Sequence, residues 1–342
     1  MRAAVYHGAG DIRITELPTP APGPGELLLK VATVGVCGTD AHEYGSGPHM
    51  FPTGGFVPGH EFSGHIAAVG DQVSGFSEHD LVASGAGISC GDCRWCRLSR
   101  SNLCAVYASV GLQLPGALAG YVVVPARICL EVGSLGLTPD VAALAQPMSI
   151  AVHSARRGRA RPDEKALVIG AGGIGAFLTY ALSQMGVETT VLDLDERRQG
   201  IAADLGAATV AHPDRLSDPG PQDLVFEVTG TGPGLDLAMA SAVPGTRVVL
   251  IGLQDGPARI EPRQLSLGEM ELIGTNAHVF SSDFADAVRL LASRASGWSD
   301  IAPIAFPLED LVEKGLAPMA EGRAEAIKTL IDPWATEARP TA

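Results

Sequence analysis

The chain has 342 residues, of which 46% are hydrophobic, and carries a formal net charge of −14. At roughly 100–200 residues per domain, this length predicts two domains. The negative charge argues against a nucleic-acid partner, because a duplex-binding protein needs a positive surface to contact phosphates. The apolar runs are shorter than the ~20 residues of a membrane helix, and the N-terminus lacks the apolar core of a signal peptide. We therefore expect a cytoplasmic protein with neither a membrane nor a nucleic-acid partner.

Up to about residue 150, the chain is rich in glycine, proline and short β-branched runs. The opening segment MRAAVYHGAGDIRI predicts a strand and a turn. The segments LLLKVATVGV, HIAAVG, DLVAS and AGYVVVP predict further strands between turns. This part of the chain is therefore expected to be mostly β.

From about residue 165, strands and helices alternate. KALVIG, TTVLD, DLVFEV and TRVVLIG predict buried strands. Apolar residues recur at helical spacing from Ile174 to Met185, and further helices are predicted up to about Leu205 and near 235–243. Alternating strands and helices predict a doubly wound parallel sheet, which makes this part an α/β Rossmann fold.

The C-terminal part carries two weaker patterns. The segment FSSDFADAVRLLASR predicts one more amphipathic helix, with Ser281 or Ser282 as its N-terminal cap. The last ten residues, which follow Asp332, are expected to form a loose tail.

A glycine-rich turn joins the strand KALVIG to the following helix. Gly170, Gly172 and Gly175 form the pattern G-x-G-x-x-G, and Asp193 stands at the end of the next strand. This full context is the fingerprint of a dinucleotide site, in which a helix N-terminus faces the pyrophosphate. The Asp193 carboxylate would bind the ribose hydroxyls and repel a 2′-phosphate, so NAD is favoured over NADP. The expected cofactor-binding residues are Gly170, Gly172, Gly173, Ile174, Gly175, Asp193 and Arg198.

Four cysteines lie within fifteen residues, at Cys90, Cys93, Cys96 and Cys104. Four thiolates can close a tetrahedral zinc site that leaves no open position, which is typical of structural zinc. An iron–sulfur cluster is the alternative, because C-x2-C-x2-C also begins the bacterial ferredoxin motif. That motif places its fourth cysteine where this chain has Arg100, so the spacing favours zinc.

A second group of metal-ligating residues lies in the segments VCGTDAHEY and PGHEFSG. The pair His60-Glu61 is not a metalloprotease motif, because H-E-x-x-H requires a histidine where this chain has Gly64. A thiolate from Cys37 and an imidazole from His60, together with a third ligand and an open position, would form a catalytic zinc site.

With these motifs the sequence resembles the zinc-containing medium-chain alcohol and polyol dehydrogenases, from the N-terminus to about residue 330. The resemblance rests on CGTDAHEY, GHEFSG, the four-cysteine loop, the strand-GAGGIG-helix unit and Asp193. CGTDAHEYGSGP, FPT and GHEFSG are most similar to butanediol dehydrogenases. The resemblance implies a mostly β, GroES-like catalytic domain over 1–149 and 279–342, and an inserted Rossmann domain over 150–278. The active site would lie in the cleft between these domains.

The resemblance also implies roles for individual residues. Thr39 and His42 would relay a proton, and Asp40 would orient the His60 ring without itself touching the zinc. Glu61 would lie beside the zinc and act as an occasional ligand. The expected catalytic residues are Thr39, His42 and Glu61, and the expected ligands of the catalytic zinc are Cys37, His60, Glu61 and Gln146.

One position departs from the family pattern. Sorbitol and butanediol dehydrogenases carry Glu-Pro where this chain has Gln146-Pro147. Glutamine also occurs at this position in some sugar dehydrogenases of the family. The departure at Gln146 therefore weakens the prediction of the substrate more than the prediction that zinc is bound.

Together, these observations predict a zinc-dependent enzyme that transfers a hydride between a secondary alcohol, a diol or polyol, and NAD. Two zinc ions per chain and a homodimer or homotetramer are expected. The alternatives are a glucose-type sugar dehydrogenase and a sensor that binds NAD without catalysis. Thr39 and His42 argue against the sensor, because a protein without chemistry needs no proton relay.

Overall fold

A computed structural model describes residues 1–215, 219–254 and 256–342. Contacts between Cα atoms divide the chain into two compact units. The first unit comprises Met1–Ser149 and His278–Ala342, and the second comprises Ile150–Ala277. Within the described ranges, every helix falls short of the length and apolarity needed to cross a bilayer.

The structure contains eighteen strands and ten α-helices in the described parts of the chain. The strands are β1 (Arg2–Gly8), β2 (Asp11–Glu16), β3 (Glu26–Gly35), β4 (Glu61–Val69), β5 (Leu81–Ser84), β6 (Gly87–Ile88), β7 (Ala108–Ser109), β8 (Tyr121–Pro125), β9 (Cys129–Glu131), β10 (Lys165–Ile169), β11 (Glu188–Leu192), β12 (Thr209–Ala211), β13 (Leu224–Glu227), β14 (Arg247–Leu250), β15 (Glu271–Gly274), β16 (Ile304–Pro307), β17 (Leu330–Asp332) and β18 (Arg339–Pro340). The helices are α1 (Gly38–Ser46), α2 (Arg94–Arg97), α3 (Pro139–Ala143), α4 (Ala145–Arg157), α5 (Gly173–Gln184), α6 (Glu196–Asp204), α7 (Gly232–Ser241), α8 (Pro262–Gly268), α9 (Ala285–Ser293) and α10 (Ala317–Ala320).

The first unit is built on a mixed sheet in which β18, β16, β17, β3, β4, β5 and β9 follow one another, while β8 also pairs with β3. The long antiparallel pair β3–β4 forms its centre. Alternate residues of β3, Leu27, Leu29 and Val31, are fully buried, and Phe62 and Ile66 of β4 pack in the same core. This alternation buries one face of each strand. The prediction of a mostly β N-terminal part is confirmed.

The second unit contains a six-stranded parallel sheet in the order β12-β11-β10-β13-β14-β15. Buried runs such as Leu167–Ile169 suit strands that are covered on both faces. From β10, the chain first builds outward through β11 and β12, and then returns to place β13 on the other side of β10. The crevice at the carboxyl ends of β10 and β13 is thus the topological switch point of a doubly wound sheet, as predicted.

Two helix starts differ from the sequence-based prediction. The helix expected near 235–243 begins earlier, because the Thr231 side chain accepts a hydrogen bond from the Gly234 amide and caps it. The C-terminal helix begins with a π-turn, where the Asp283 carboxylate accepts the Val279 amide at 2.7 Å. The prediction that Ser281 or Ser282 caps this helix was therefore wrong.

The prediction of a loose C-terminal tail was also wrong. Strand β18 pairs with β16 at the edge of the first unit's sheet. The Trp334 indole donates to the Val31 carbonyl at 2.8 Å, and the Arg339 guanidinium bonds both Asp140 and Asp332. Polar and aromatic residues in this segment therefore make tertiary contacts that its composition did not reveal.

Candidate metal centres and dinucleotide site

The four cysteines of the loop converge on one point. The Sγ atoms of Cys90 and Cys104 are 3.5 Å apart, those of Cys93 and Cys96 are 3.6 Å apart, and those of Cys90 and Cys96 are 4.0 Å apart. Disulfide sulfurs would lie only about 2.05 Å apart. A tetrahedron of four zinc–sulfur bonds of about 2.3 Å has edges of about 3.8 Å. The sulfur positions therefore suit a four-coordinate metal ion.

Backbone amides favour the thiolate form of Cys93, whereas burial raises the pKa of the Cys96 thiol to about 11. The amides of Cys96 and Ala105 donate to Cys93 and lower the pKa of its thiol to about 6. The Cys90 amide also points at the Cys104 sulfur, at 3.3 Å. The short helix α2 turns the chain between the second and third ligands.

Cys37 lies at the junction between β3 and α1. It occupies the N-cap of α1, and the Asp40 carboxylate at the third helical position accepts the Cys37 amide at 2.9 Å. An acidic side chain in the first turn satisfies an otherwise unpaired amide and suits the helix dipole. The same helix start therefore fixes the backbone that carries the Cys37 thiol.

The second oxygen of Asp40 faces His60. Its Oδ1 atom is 3.5 Å from His60 Nδ1, and neither atom has a hydrogen-bond partner among the described residues. Burial lowers the pKa of His60, but the negative charges of Asp40 and Cys37 outweigh it and raise that pKa well above its ordinary value. The surroundings of the ring thus attract a positive charge, and Nε2 is the nitrogen that remains available to a metal.

Glu61 is paired with a lysine from a distant part of the chain. Lys328 Nζ lies 2.6 Å from both carboxylate oxygens, and the two side chains are only 3% and 1% exposed. Burial lowers the pKa of Lys328, but the charge of Glu61 outweighs burial and raises it. Gly35 faces Glu61 across the β3–β4 pair, where any added Cβ would lie 2.6 Å from Glu61 Oε2. A glycine is therefore required there to admit the carboxylate.

Sequence reasoning missed Lys328. The available signal was a lysine inside the apolar run AIKTLID, where a charge is costly unless a partner neutralises it. The expectation that Glu61 acts as an occasional zinc ligand must now take account of this ion pair. The Glu61 carboxylate would have to break its two short hydrogen bonds to the buried Lys328 ammonium before it could bind a metal.

The two predicted relay residues lie on α1, after Cys37. Thr39 is half-buried and His42 is exposed. The His42 ring stacks on that of His49, with centroids 4.5 Å apart. The fully buried Glu43 carboxylate accepts the backbone amides of His49 and Met50, which ties the following loop to the helix. The histidine pair is thus held at the surface end of the helix.

Gln146 lies in the first turn of α4 and is half-buried. Its backbone carbonyl accepts the Ser149 hydroxyl at 2.6 Å. Pro147 is compatible with this position, because the first turn of a helix needs no amide hydrogen there. The Gln146 side chain as a zinc ligand stays a prediction.

The glycine turn between β10 and α5 is shaped by close contacts. Gly170 has φ = 99°, and a Cβ there would lie 2.9 Å from the Thr229 methyl group. A Cβ at Gly175 would lie 1.8 Å from the Gly170 carbonyl oxygen. Both positions therefore exclude a side chain. Gly172 caps α5, which points the N-terminus of this twelve-residue helix toward the switch point.

Asp193 holds this turn together in a way that the sequence did not reveal. Its Oδ2 accepts the Ala171 amide at 2.7 Å, and its Oδ1 accepts the Asp195 amide at 2.9 Å. Each carboxylate oxygen retains a second lone pair for a ligand. The Arg198 guanidinium lies 3.9 Å from where a Gly172 Cβ would be. The predicted cofactor residues are thus adjacent to one another.

Two family models match this chain. Residues 23–134 match an alcohol dehydrogenase GroES-like domain, and residues 173–293 match a zinc-binding dehydrogenase. The chain is 30% identical to the 2-dehydro-3-deoxy-L-galactonate 5-dehydrogenase of Pseudoalteromonas atlantica, with 97% of this chain and 98% of that protein covered. This chain belongs to the zinc-binding alcohol dehydrogenase family.

Solved structures of zinc-binding alcohol dehydrogenases share the fold. The 2R,3R-butanediol dehydrogenase from Bacillus subtilis superposes with a TM-score of 0.87 at 26% identity, with 97% of this chain and 99% of that chain covered. A zinc-binding dehydrogenase from Sinorhizobium meliloti 1021, bound to NADP, superposes with a TM-score of 0.89 at 25% identity and the same coverage. The mostly β first unit contains the GroES-like match of this family.

The residues around Cys37 fit the catalytic zinc of a zinc-binding dehydrogenase. The ligand atoms of Cys37, His60 and Glu61 all lie within 4.8 Å of one another. With Cys37 as a thiolate and His60 neutral, as a metal ligand would be, the charges of Cys37, Asp40, Glu61 and Lys328 sum to −2. A divalent cation would neutralise this charge and bind the buried imidazole.

Proposed function

We propose that this protein is a zinc-dependent dehydrogenase that oxidises a secondary alcohol, a diol or polyol, with NAD as the hydride acceptor. The half-buried Cys37 and the buried His60, backed by Asp40, carry the proposal. A thiolate and an imidazole held in an anionic pocket can bind zinc while leaving a position for substrate. The dinucleotide turn and the relatives' activities support the same class of reaction.

The residues around Cys37 have distinct roles in this reaction. Zinc, when bound, supplies a Lewis acid that lowers the pKa of an alcohol hydroxyl, while NAD accepts the hydride. Cys37 and His60 would hold the metal, and Asp40 Oδ1, which faces His60 Nδ1 at 3.5 Å, would fix the tautomer and orientation of the ring by accepting its N–H once the two close together. Thr39 and His42 are three residues apart on α1 and therefore share a face of that helix. They carry the proton from the half-buried hydroxyl of Thr39 to the exposed imidazole of His42.

Gln146 is proposed as the third protein ligand of the catalytic zinc, because both oxygens of the alternative ligand, Glu61, are bound to the Lys328 ammonium. Compared with a carboxylate, the neutral amide of Gln146 would leave a zinc ion held here more positive. Gln146 would thereby strengthen the Lewis acidity that zinc supplies and weaken the retention of the metal. Lys328 adds to both effects, since its ammonium offsets the negative charge of the nearby Glu61.

The four-cysteine loop is proposed to hold a second, structural zinc ion. Its four ligands come from one segment of fifteen residues, whereas those of the catalytic zinc come from distant segments. The two sites should therefore release metal at different rates. Colourless protein would support zinc in the loop, whereas a brown absorption band would indicate an iron–sulfur cluster.

NAD is proposed as the physiological cofactor, although one structural relative binds NADP. The Asp193 carboxylate lies beside the glycine turn, where it would accept the ribose hydroxyls and repel a 2′-phosphate. Arg198 offers a cation to the same end of the cofactor. We also propose a homodimer or homotetramer. A cytoplasmic location accords with six free cysteines, which reducing conditions preserve.

A substrate panel tests the proposed function. Diols, polyols, sugars and simple secondary alcohols are each incubated with the protein and NAD, and NADH absorbance is followed. Reduction of NAD by diols or polyols supports the proposal. Turnover of sugars alone would identify a sugar dehydrogenase, and binding of NAD without any reduction would identify a sensor.

A further inference from the structure

The first turn of α3 is bound to both central strands of the first unit. Asp140 is 3% exposed, and its Oδ1 accepts the Thr33 hydroxyl of β3 at 2.7 Å. The neighbouring carbonyl of Pro139 accepts the Ser63 hydroxyl of β4, also at 2.7 Å. Thr33 and Ser63 are themselves fully buried. These bonds fix the start of α3 relative to β3 and β4.

The C-terminal segment completes the surroundings of Asp140. Arg339 donates from Nη1 to Oδ2 at 2.7 Å and from Nη2 to Oδ1 at 2.9 Å, and the Ala342 amide donates to Oδ2 at 3.0 Å. With Thr33, four donors therefore surround one buried carboxylate. Burial raises the pKa of Asp140, but the bonds from Arg339, Ala342 and Thr33 outweigh it and lower that pKa. The carboxylate thus stays charged and fully bonded.

The three segments that meet at Asp140 are those that carry the proposed zinc ligands. Thr33 precedes Cys37 by four residues on the same chain segment, and Ser63 follows His60 by three. Asp140 precedes Gln146 by six residues, and only Leu144 separates α3 from α4. A shift of α3 would therefore move Gln146 relative to both other ligands.

We propose that Asp140, locked by Arg339, is a positioning residue that holds the Gln146 segment against the strands carrying Cys37 and His60. The inference rests on the proposed catalytic zinc. Asp140 touches neither metal nor substrate in this account. It acts by keeping three chain segments in register, so its loss loosens the zinc without removing a ligand.

Asp140→Asn tests this inference. The amide keeps one acceptor oxygen but turns an NH2 group toward the Arg339 and Ala342 donors. A control exists in the same unit, where Arg294 makes a two-bond pair with the more exposed Asp300 at 2.6 and 2.7 Å, and neither residue belongs to β3, β4 or α3. Asp300→Asn should therefore disturb stability without reaching the zinc ligands.

Three measurements are made on the full-length zinc-loaded protein: thermal stability, release of each zinc to a chelator, and the visible spectrum after cobalt replaces the labile zinc. Outer residues that orient metal ligands typically change metal affinity by 10–100-fold. We expect Asp140→Asn to release the labile zinc roughly 10-fold faster and to alter the cobalt spectrum. The four-cysteine zinc and the Asp300→Asn variant should keep wild-type release rates.

Equal release from Asp140→Asn and Asp300→Asn, with an unchanged cobalt spectrum, would overturn the inference. If Asp140→Asn does not fold, Thr33→Val decides the matter, because it deletes a single bond from a fully buried site. Release from Thr33→Val at the wild-type rate would then refute the positioning role. A wild-type protein that binds no labile zinc and reduces no NAD with any alcohol would instead refute the proposed function.

Discussion

Replacing Lys328 by methionine tests how much the buried Lys328–Glu61 ion pair, beside the proposed catalytic zinc, contributes to stability. Lys328 Nζ lies 2.6 Å from both Glu61 oxygens, and both side chains are almost fully buried. Removing one member of a buried pair typically costs about 3–5 kcal/mol, because the other charge is left without compensation. The zinc-free variant should therefore lose about this much free energy of unfolding.

Urea unfolding followed by tryptophan fluorescence measures this loss directly. All three tryptophans, at positions 95, 298 and 334, lie in the unit that contains the ion pair. Lys314→Met is the control, because the Lys314–Glu313 pair is exposed and solvent screening leaves it little effect on stability.

A double variant and zinc itself separate the pair from simple loss of packing. Lys328→Met with Glu61→Met should unfold near the wild-type urea concentration, since replacing both members of a buried pair is often neutral. In the zinc-loaded single variant, the released Glu61 carboxylate should bind the metal and slow its release to a chelator. If the zinc-free Lys328→Met and Lys314→Met proteins have the same free energy of unfolding, the buried pair does not have the predicted role.

Three further variants test the cofactor site and the zinc surroundings. Asp193→Ser should raise kcat/KM for NADP relative to NAD. The change should be comparable to the loss of one charge-assisted hydrogen bond, ~1.5–3 kcal/mol. A wild-type protein that already prefers NADP would contradict this prediction. His42→Ala should slow oxidation by about 10²-fold below neutral pH, and an unchanged pH–rate profile would remove His42 from the relay. Gln146→Glu should slow zinc release and raise the pH at which oxidation becomes fast, whereas unchanged zinc release and an unchanged profile would exclude Gln146 as a ligand.

Local patterns were sufficient to predict the doubly wound sheet of the second unit and four of its six strands, β10, β11, β13 and β14, but not β12 and β15. Strands buried on both faces are continuous apolar runs, and the helix after Gly172 shows its own periodicity. The four-cysteine loop was predictable for a similar reason, because its ligands fall within one short segment. In both cases, the interacting residues are close in sequence.

The interactions that the sequence did not reveal join residues that are far apart. Lys328 and Glu61 are separated by 267 positions, and Arg339 and Asp140 by 199. Nothing near either residue indicates its partner, and the polar C-terminal segment therefore suggested a loose tail. Asp193 was predicted as a ribose ligand from its place after a strand, but its bond to the Ala171 amide depends on the folded turn.

We propose that this chain holds a labile catalytic zinc beside Cys37 and His60 and a tightly held zinc in the four-cysteine loop. Elemental analysis before and after brief chelation, with NADH formation and circular dichroism followed in parallel, tests it most directly. We predict two zinc ions per chain, of which chelation removes one and abolishes NADH formation while the fold is retained. Finding one zinc per chain, or losing both together, would contradict this account.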